Sequence, residues 1–303
     1  MISYASWGII LDDIIYPDGK TAMGTLGGGG LYAACGMRLW RQDAVVCAAV
    51  GKDFAASSLN AHGFDGSGLV VTDLPTPRAW QVLEEDGRRT QVPRVSREDW
   101  FSQLVRVPLA QPIPPDLKAI HFLGRGDAPE ENFVKALADA GVAISAEPLI
   151  DDKNTPDEID VLKRCLPFFE LFSPDEFGLK VLVGDKPVQE QLRALAELGP
   201  KVVALRQGKD GALVYERESD TLWRVPAAPA DVVDVTGAGN AFCGGLLVGW
   251  LETQDIRQSA AQASVSAAYA LEQVGPPKID PAVMSAAKVR AEEVLQSIVQ
   301  VEG

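Results

Sequence analysis

The chain has 303 residues, 47% of them apolar and 23% charged, with a formal net charge of −14. That length and balance fit one large domain, or one with a small appendage, and exclude a disordered or collagen-like chain. The acidic excess argues against a nucleic-acid surface, which needs Lys and Arg to neutralise phosphates, yet leaves room for a small anion at a local site.

The start, MISYASWGIILDD, lacks a basic segment followed by a long apolar core, so it reads as a strand and the protein as cytosolic. Strand-like runs at 3–11, 44–50, 117–123, 142–146, 169–172, 201–206 and 212–216 follow along the chain. Helical patterns at 31–40, 131–140 and 189–198 lie among them. This alternation predicts βαβ units and a mainly parallel sheet covered on both faces. One region breaks it. TPRAWQVLEEDGRRTQVPRV, residues 76–95, reads as two strands around Asp86-Gly87, a hairpin signal, with no helix after it. Together with residues 9–24 it predicts a small sheet that lids a cleft. After Thr236 alanine-rich apolar helices dominate, at 239–252, 256–273 and 280–299. No stretch approaches the ~18 apolar residues of a membrane span. The cysteines (Cys35, Cys47, Cys165, Cys243) form no CxxC pair and read as buried reduced thiols. His121, inside AIHFLG, reads as a core histidine.

The chemistry concentrates in DVVDVTGAGNAFCGG, residues 231–245. In Thr236-Gly237-Ala238-Gly239-Asn240, small residues leave main-chain N–H groups uncovered at the first turn of an apolar helix. Those donors and the helix dipole make a site for an anion. Asp234, three residues before Gly237, is placed to cap the turn or to sit beside a cation. A second pair, Gly208 and Gly211 in LRQGKDGALVYE, follows a strand, and Arg206 at that strand's end is placed to meet a phosphate. In a doubly wound sheet such turns face the ligand crevice.

The order of these pieces resembles the ribokinase-like (PfkB) carbohydrate kinase family over nearly the whole chain. Asp234–Asn240 is similar to its DTxGAGD motif, and Gly27-Gly28-Gly29-Gly30-Leu31-Tyr32-Ala33-Ala34 to its GGxGxNxA motif. Val50-Gly51-Lys52-Asp53 resembles its VGxD element, and Gly208 and Gly211 its nucleotide-proximal TxGxxG turn, with Arg206 where Thr is usual. The resemblance implies a three-layer αβα sandwich with a mainly parallel central sheet, one domain over 1–303, and a β lid from about 9–24 and 72–95. It implies transfer of the γ-phosphoryl of ATP to a sugar or nucleoside hydroxyl, with Mg²⁺, and a monovalent cation near Asp234. By the same likeness Asp12, Asp13, Gly28, Gly29 and Tyr32 hold the substrate. Arg206, Gly208, Gly211, Asp234, Thr236 and Ser266 hold the nucleotide, and Gly237, Ala238, Gly239 and Asn240 form the catalytic turn. The lid is the expected surface for a homodimer; small molecules, not nucleic acid or membrane, are the expected partners.

Three positions depart from the pattern. Asn240 stands where the family has the Asp that takes the hydroxyl proton, and an amide has no usable basicity. Tyr32 replaces an Asn that grips sugar hydroxyls, which favours a flatter or more apolar ligand. In Ser173-Pro174-Asp175-Glu176-Phe177-Gly178, Asp175 and Gly178 replace an Asn and a metal-organising Glu, leaving Asp175 and Glu176 as metal candidates. A fungal subgroup of the family combines GAGN with this Tyr, and the chain looks most like it. Three readings stay open: a slow or altered kinase, a non-catalytic nucleotide or metabolite binder, and an enzyme using the anion site for another reaction.

Overall fold

The computed structural model describes residues 3–85, 89–151 and 153–301. Alternating apolar side chains build its main sheet. On one strand, Val202 and Ala204 join one core cluster while Val203 and Leu205 join another. The next repeats this, with Ala212 and Val214 on the first side and Leu213 and Tyr215 on the second. A strand apolar on both faces must be covered on both faces, and helices do so.

The chain opens with β1 (Tyr4–Trp7), β2 (Ile10–Ile15), β3 (Thr21–Gly27) and helix α1 (Gly29–Arg38). It continues through β4 (Ala44–Gly51), β5 (Leu69–Thr72), β6 (Arg78–Leu83) and β7 (Arg89–Pro93). A helical segment follows, α2 (Arg97–Phe101), a π-helical turn (Ser102–Arg106) and α3 (Val107–Leu109). Then come β8 (Ala119–Gly124), α4 (Ala128–Asp139), β9 (Ala143–Pro148), α5 (Pro156–Cys165), β10 (Leu171–Phe172), α6 (Glu176–Val183) and α7 (Val188–Glu197). β11 (Val202–Arg206), β12 (Ala212–Glu216) and β13 (Thr221–Val225) precede α8 (Ala238–Thr253), α9 (Ile256–Leu271), α10 (Pro281–Leu295) and β14 (Val299–Val301).

Ten strands form the main sheet in the order β14-β13-β12-β11-β10-β9-β8-β1-β4-β5. It is parallel from β5 through β11 and antiparallel from β11 to β14. Helices α1, α8, α9 and α10 cover one face and α4 to α7 the other. This is the expected ribokinase-like three-layer α/β sandwich. The second sheet, ordered β3-β2-β6-β7, is the expected lid, with β2 and β6 parallel at its centre. The hairpin tip predicted at Asp86-Gly87 lies outside the described residues; its arms pair from Leu83 with Arg89 to Ala79 with Pro93.

Two of the predicted elements change in the structure. The first strand is broken at Gly8 (φ 111°), so β1 enters the main sheet and β2 turns off into the lid. The last helix stops at Leu295, and Val299–Val301 adds an edge strand against β13. Among the described residues no helix is long and apolar enough to cross a membrane. All four cysteines are free, Cys35, Cys165 and Cys243 fully buried.

Candidate active site

The carboxyl ends of the parallel strands, the lid and the start of α8 enclose a cavity of about 540 Å³. Gly237 (φ 78°) makes the sharp entry into α8, and its bare Cα lets the Tyr32 ring lie against it; a Cβ there would fall 2.1 Å from the ring. No side chain caps α8, and the bond from Ala241 N–H to Gly237 O (2.9 Å) is the first to close over the turn. The amides of residues 238–240 therefore have no acceptor within the helix. Gly237, Gly239 and Asn240 lie on the cavity wall with Thr236 and Val235. Just upstream, Asp234 is buried; its Oδ1 accepts from Thr236 N–H (2.9 Å), and its Oδ2 has no partner among the described residues.

Behind the turn sits a buried ionic network. Arg206, at the end of β11, passes directly under Gly239, where a Cβ would fall 2.1 Å from its Nη1. That Nη1 is 2.7 Å from Glu147 Oε2, and its Nη2 donates to Ser173 O (3.1 Å). Glu147, 4% exposed at the end of β9, also accepts through Oε1 from the Asn240 side-chain amide. His121 Nε2 lies 3.7 Å from the same oxygen, and its Nδ1 meets Ser145 Oγ (2.9 Å). Burial alone would raise the Glu147 pKa, but Arg206, then His121 and Asn240, outweigh it and hold the carboxylate below its usual range. The sequence reading missed Glu147. Its one signal was a lone carboxylate closing the apolar strand AISAEP, which a strand search ending at Ala146 discards.

The lid separates Asp12 from Asp13. Neighbours on a strand point to opposite faces. Asp12 is 3% exposed and lines the cavity, its Oδ1 accepting from Gln81 Nε2 (2.7 Å); burial pushes its carboxyl up to about 6 against that hydrogen bond. Asp13, expected as a substrate ligand, is not on the cavity wall. It is fully buried in a clamp, accepting from Arg78 (2.6 and 2.7 Å), Arg94 and the amide of Gly24 (2.8 Å). Arg78 first, and against burial, holds it far below the usual carboxylate range.

Of the other expected residues, Gly28, Gly29, Tyr32, Arg206, Thr236 and Asp175 reach the cavity. Ser266 does not. It is fully buried away from the cavity, donating to Gln262 O (2.9 Å) and accepting from Trp40 Nε1 (2.9 Å), and it packs against α8, where a Cβ on Gly245 would fall 2.3 Å from its Oγ. Gly208 and Gly211 are also outside the wall, shaping the turn Gly208–Asp210 between β11 and β12. Asp175 spends Oδ1 on capping α6 through Gly178 N–H (2.7 Å), and Glu176 is exposed off the wall. Ala238 lies in the turn itself.

Besides Arg89, Gln91, Arg125 and Asp127, the rest of the wall is mostly apolar, from residues that include Trp7, Trp100, Phe101, Leu104, Leu123 and Phe133. Glu130 interrupts it. It is 5% exposed, its Oε2 accepts from Arg125 N–H (2.8 Å), its Oε1 is unpartnered, and burial pushes its carboxyl up to about 7.

A three-layer sandwich with a lid over the strand ends and an uncapped glycine turn at the start of a buried helix defines a ribokinase-like α/β protein. The sequence matches the pfkB family carbohydrate kinases over residues 3–281, and the chain belongs to that family. It is 26% identical to an uncharacterised protein of Schizosaccharomyces pombe, over 88% of this chain and 83% of that one. It is 28% identical to a nucleoside kinase of Methanothermobacter thermautotrophicus, over 88% of this chain and 86% of that one. An Escherichia coli protein assigned as a ribokinase II, solved with ATP and Mg²⁺, superposes with a TM-score of 0.77 at 19% identity, covering 97% of this chain and all of that one; it bears on the fold alone.

Proposed function

We propose that the protein transfers the γ-phosphoryl group of ATP to a hydroxyl of a small sugar-like or nucleoside-like acceptor, at a rate lowered by the amide at position 240. One arrangement carries the reading: uncapped amides at 238–240 beside a cavity of about 540 Å³, with Asn240 on its wall. The turn takes up charge developing on the phosphoryl group, and Asn240 Oδ1 accepts the acceptor's O–H and aims its oxygen. The acceptor oxygen bonds to γ-phosphorus as the bridging P–O bond breaks; ADP leaves, and the proton departs on an oxygen of the transferred group. Without a general base the step is slower by roughly 10²–10⁴-fold, but positioning and charge stabilisation remain.

Mg²⁺ would neutralise phosphate charge. For it this chain offers Asp175, one oxygen of which is already capping α6. Among the described residues no three His, Cys, Asp or Glu side chains gather for a metal, so phosphates and water must supply most ligands. The partnerless buried Oδ2 of Asp234 fits a monovalent cation beside the turn. Asp12 and Gln81 suit acceptor hydroxyls, and the aromatic wall suits a ring rather than a bare polyol. The likeness to a Schizosaccharomyces pombe protein supports the fungal subgroup, and a cytoplasmic kinase dimerising through the open lid edges β3 and β7 fits this reading.

Calorimetric titration with Mg·ATP tests it, followed by ADP release with a panel of sugars and nucleosides. Binding with slow, acceptor-dependent turnover is expected; no ATP binding removes the reading. The second reading, a non-catalytic nucleotide binder, is favoured by the engagement of Asn240 with Glu147, which leaves no basic group free at the turn. ATP binding with no ADP formed from any acceptor would select it.

A further inference from the structure

The buried pair Asn240–Glu147 constrains the chemistry more than either residue does. An ionised carboxylate only accepts hydrogen bonds, so the amide edge facing Glu147 must be the NH₂. The Arg206 guanidinium, 2.7 Å from Glu147 Oε2, keeps that carboxylate ionised. Asn240 is thereby locked in one orientation, with its NH₂ on Glu147 and its acceptor oxygen turned away from it. Glu147 is itself a poor proton acceptor, since Asn240 and Arg206 engage one oxygen each. The titratable groups around the pair are Arg206 from β11, His121 from β8, Asp175 at the start of α6 and Cys243 on α8.

We propose that Glu147 is a positioning residue that fixes Asn240 as the hydrogen-bond acceptor for the incoming hydroxyl. Returning a carboxylate to position 240 alone then sets two carboxylates in contact, and one of them must hold a proton or repel its neighbour. It follows that Asn240→Asp does not by itself make a competent kinase. The pair has to be exchanged together, Asn240→Asp with Glu147→Gln, which keeps the net charge of the site. The kinetic part rests on the phosphoryl-transfer reading; the stability part does not.

The experiment compares wild type, Asn240→Asp, Glu147→Gln and the double variant by thermal unfolding at pH 5.5 and 8, and by kcat and KM for ADP release with Mg·ATP and an acceptor. A like-charge pair raises a carboxyl pKa in the folded state, so stability falls as pH rises through the interval between the unfolded and folded values. Asn240→Asp should therefore lose more stability at pH 8 than at pH 5.5, and Glu147→Gln should restore it in the double variant. In turnover, the double variant should exceed Asn240→Asp by about 10-fold or more in kcat, with KM for ATP little changed. Glu147→Gln alone should lower kcat and leave ATP affinity in place. If that single variant fails to fold because Arg206 loses its partner, Glu147→Asp, which keeps the charge but shortens its reach to Asn240, takes its place and should lower kcat while leaving ATP affinity in place. Asn240→Asp matching the double variant in both stability at pH 8 and kcat overturns the proposal. Stability coupling without turnover in any variant upholds the pair and removes the phosphoryl-transfer reading.

Discussion

Asp12 and Glu130 show how burial sets single carboxyls apart from their kind. Asp12, raised to about 6 chiefly by burial, is ionised at neutral pH and gains its proton just below. If its carboxylate accepts hydroxyl hydrogen bonds, acceptor affinity should fall several-fold between pH 7.5 and 5.5; calorimetry at both values checks this, and Asp12→Asn should erase the difference. Glu130 binds its proton more tightly folded than unfolded, near 7 rather than 4.5. The folded state thus holds the extra proton between those values, and stability falls as pH rises through them. Glu130→Gln keeps an acceptor for the Arg125 amide, so thermal unfolding should show a flatter pH dependence and a gain on the order of 1–3 kcal/mol at pH 8. The sequence exposed Asn240 because a motif surrounds it. Glu130 and Glu147 were not legible, since burial and partners, rather than local spacing, give them their character.

The lid is held by Asp13, whose carboxylate on β2 gathers Arg78 of β6, Arg94 just past β7 and the Gly24 amide of β3. Removing one partner of a buried pair leaves the others uncompensated. Because both arginine side chains are 35% exposed, Asp13→Asn should cost only about 1–3 kcal/mol. The loss should appear first as faster hydrogen exchange in residues 10–27, 78–83 and 89–93, ahead of global unfolding. Asp13 has a depressed pKa, so its contribution is complete above the ordinary carboxylate range and vanishes only in stronger acid. The lid hairpin itself was legible from its turn signal. Whether Asp12 or Asp13 faces the cavity was not, because one register step exchanges the two faces. Elements lacking long periodicity escaped as well. The eight-residue α6 and the π-helical segment are too short to show it. α5 carries its signal at its ends, in the capping box of Thr155 with Glu158 and in Lys163 and Arg164 in the last turn.

At the scale of the molecule, the site depends on how closely two helices on the same face of the sheet approach. The glycine motif opens α1 and the uncapped glycine turn opens α8, so the spacing of these helices sets where Tyr32 and Gly29 stand relative to Gly237 and Asn240. That spacing is fixed by Gly244, where a Cβ would fall 2.0 Å from the Ala33 carbonyl oxygen, and by Gly36, where one would fall 2.1 Å from the Ala241 carbonyl oxygen. Neither neighbour is a flexible side chain, so the backbones must separate to admit a methyl group. Overpacking of this kind typically costs about 1–3 kcal/mol. Gly244→Ala should lower the thermal midpoint and, by moving α1 off α8, weaken ATP and acceptor binding together although the residue touches neither. Calorimetry on the folded variant separates the two effects. Unchanged affinities at a reduced midpoint would mean that the turn keeps its geometry independently of the helix pair, and that the long αα contact serves stability alone.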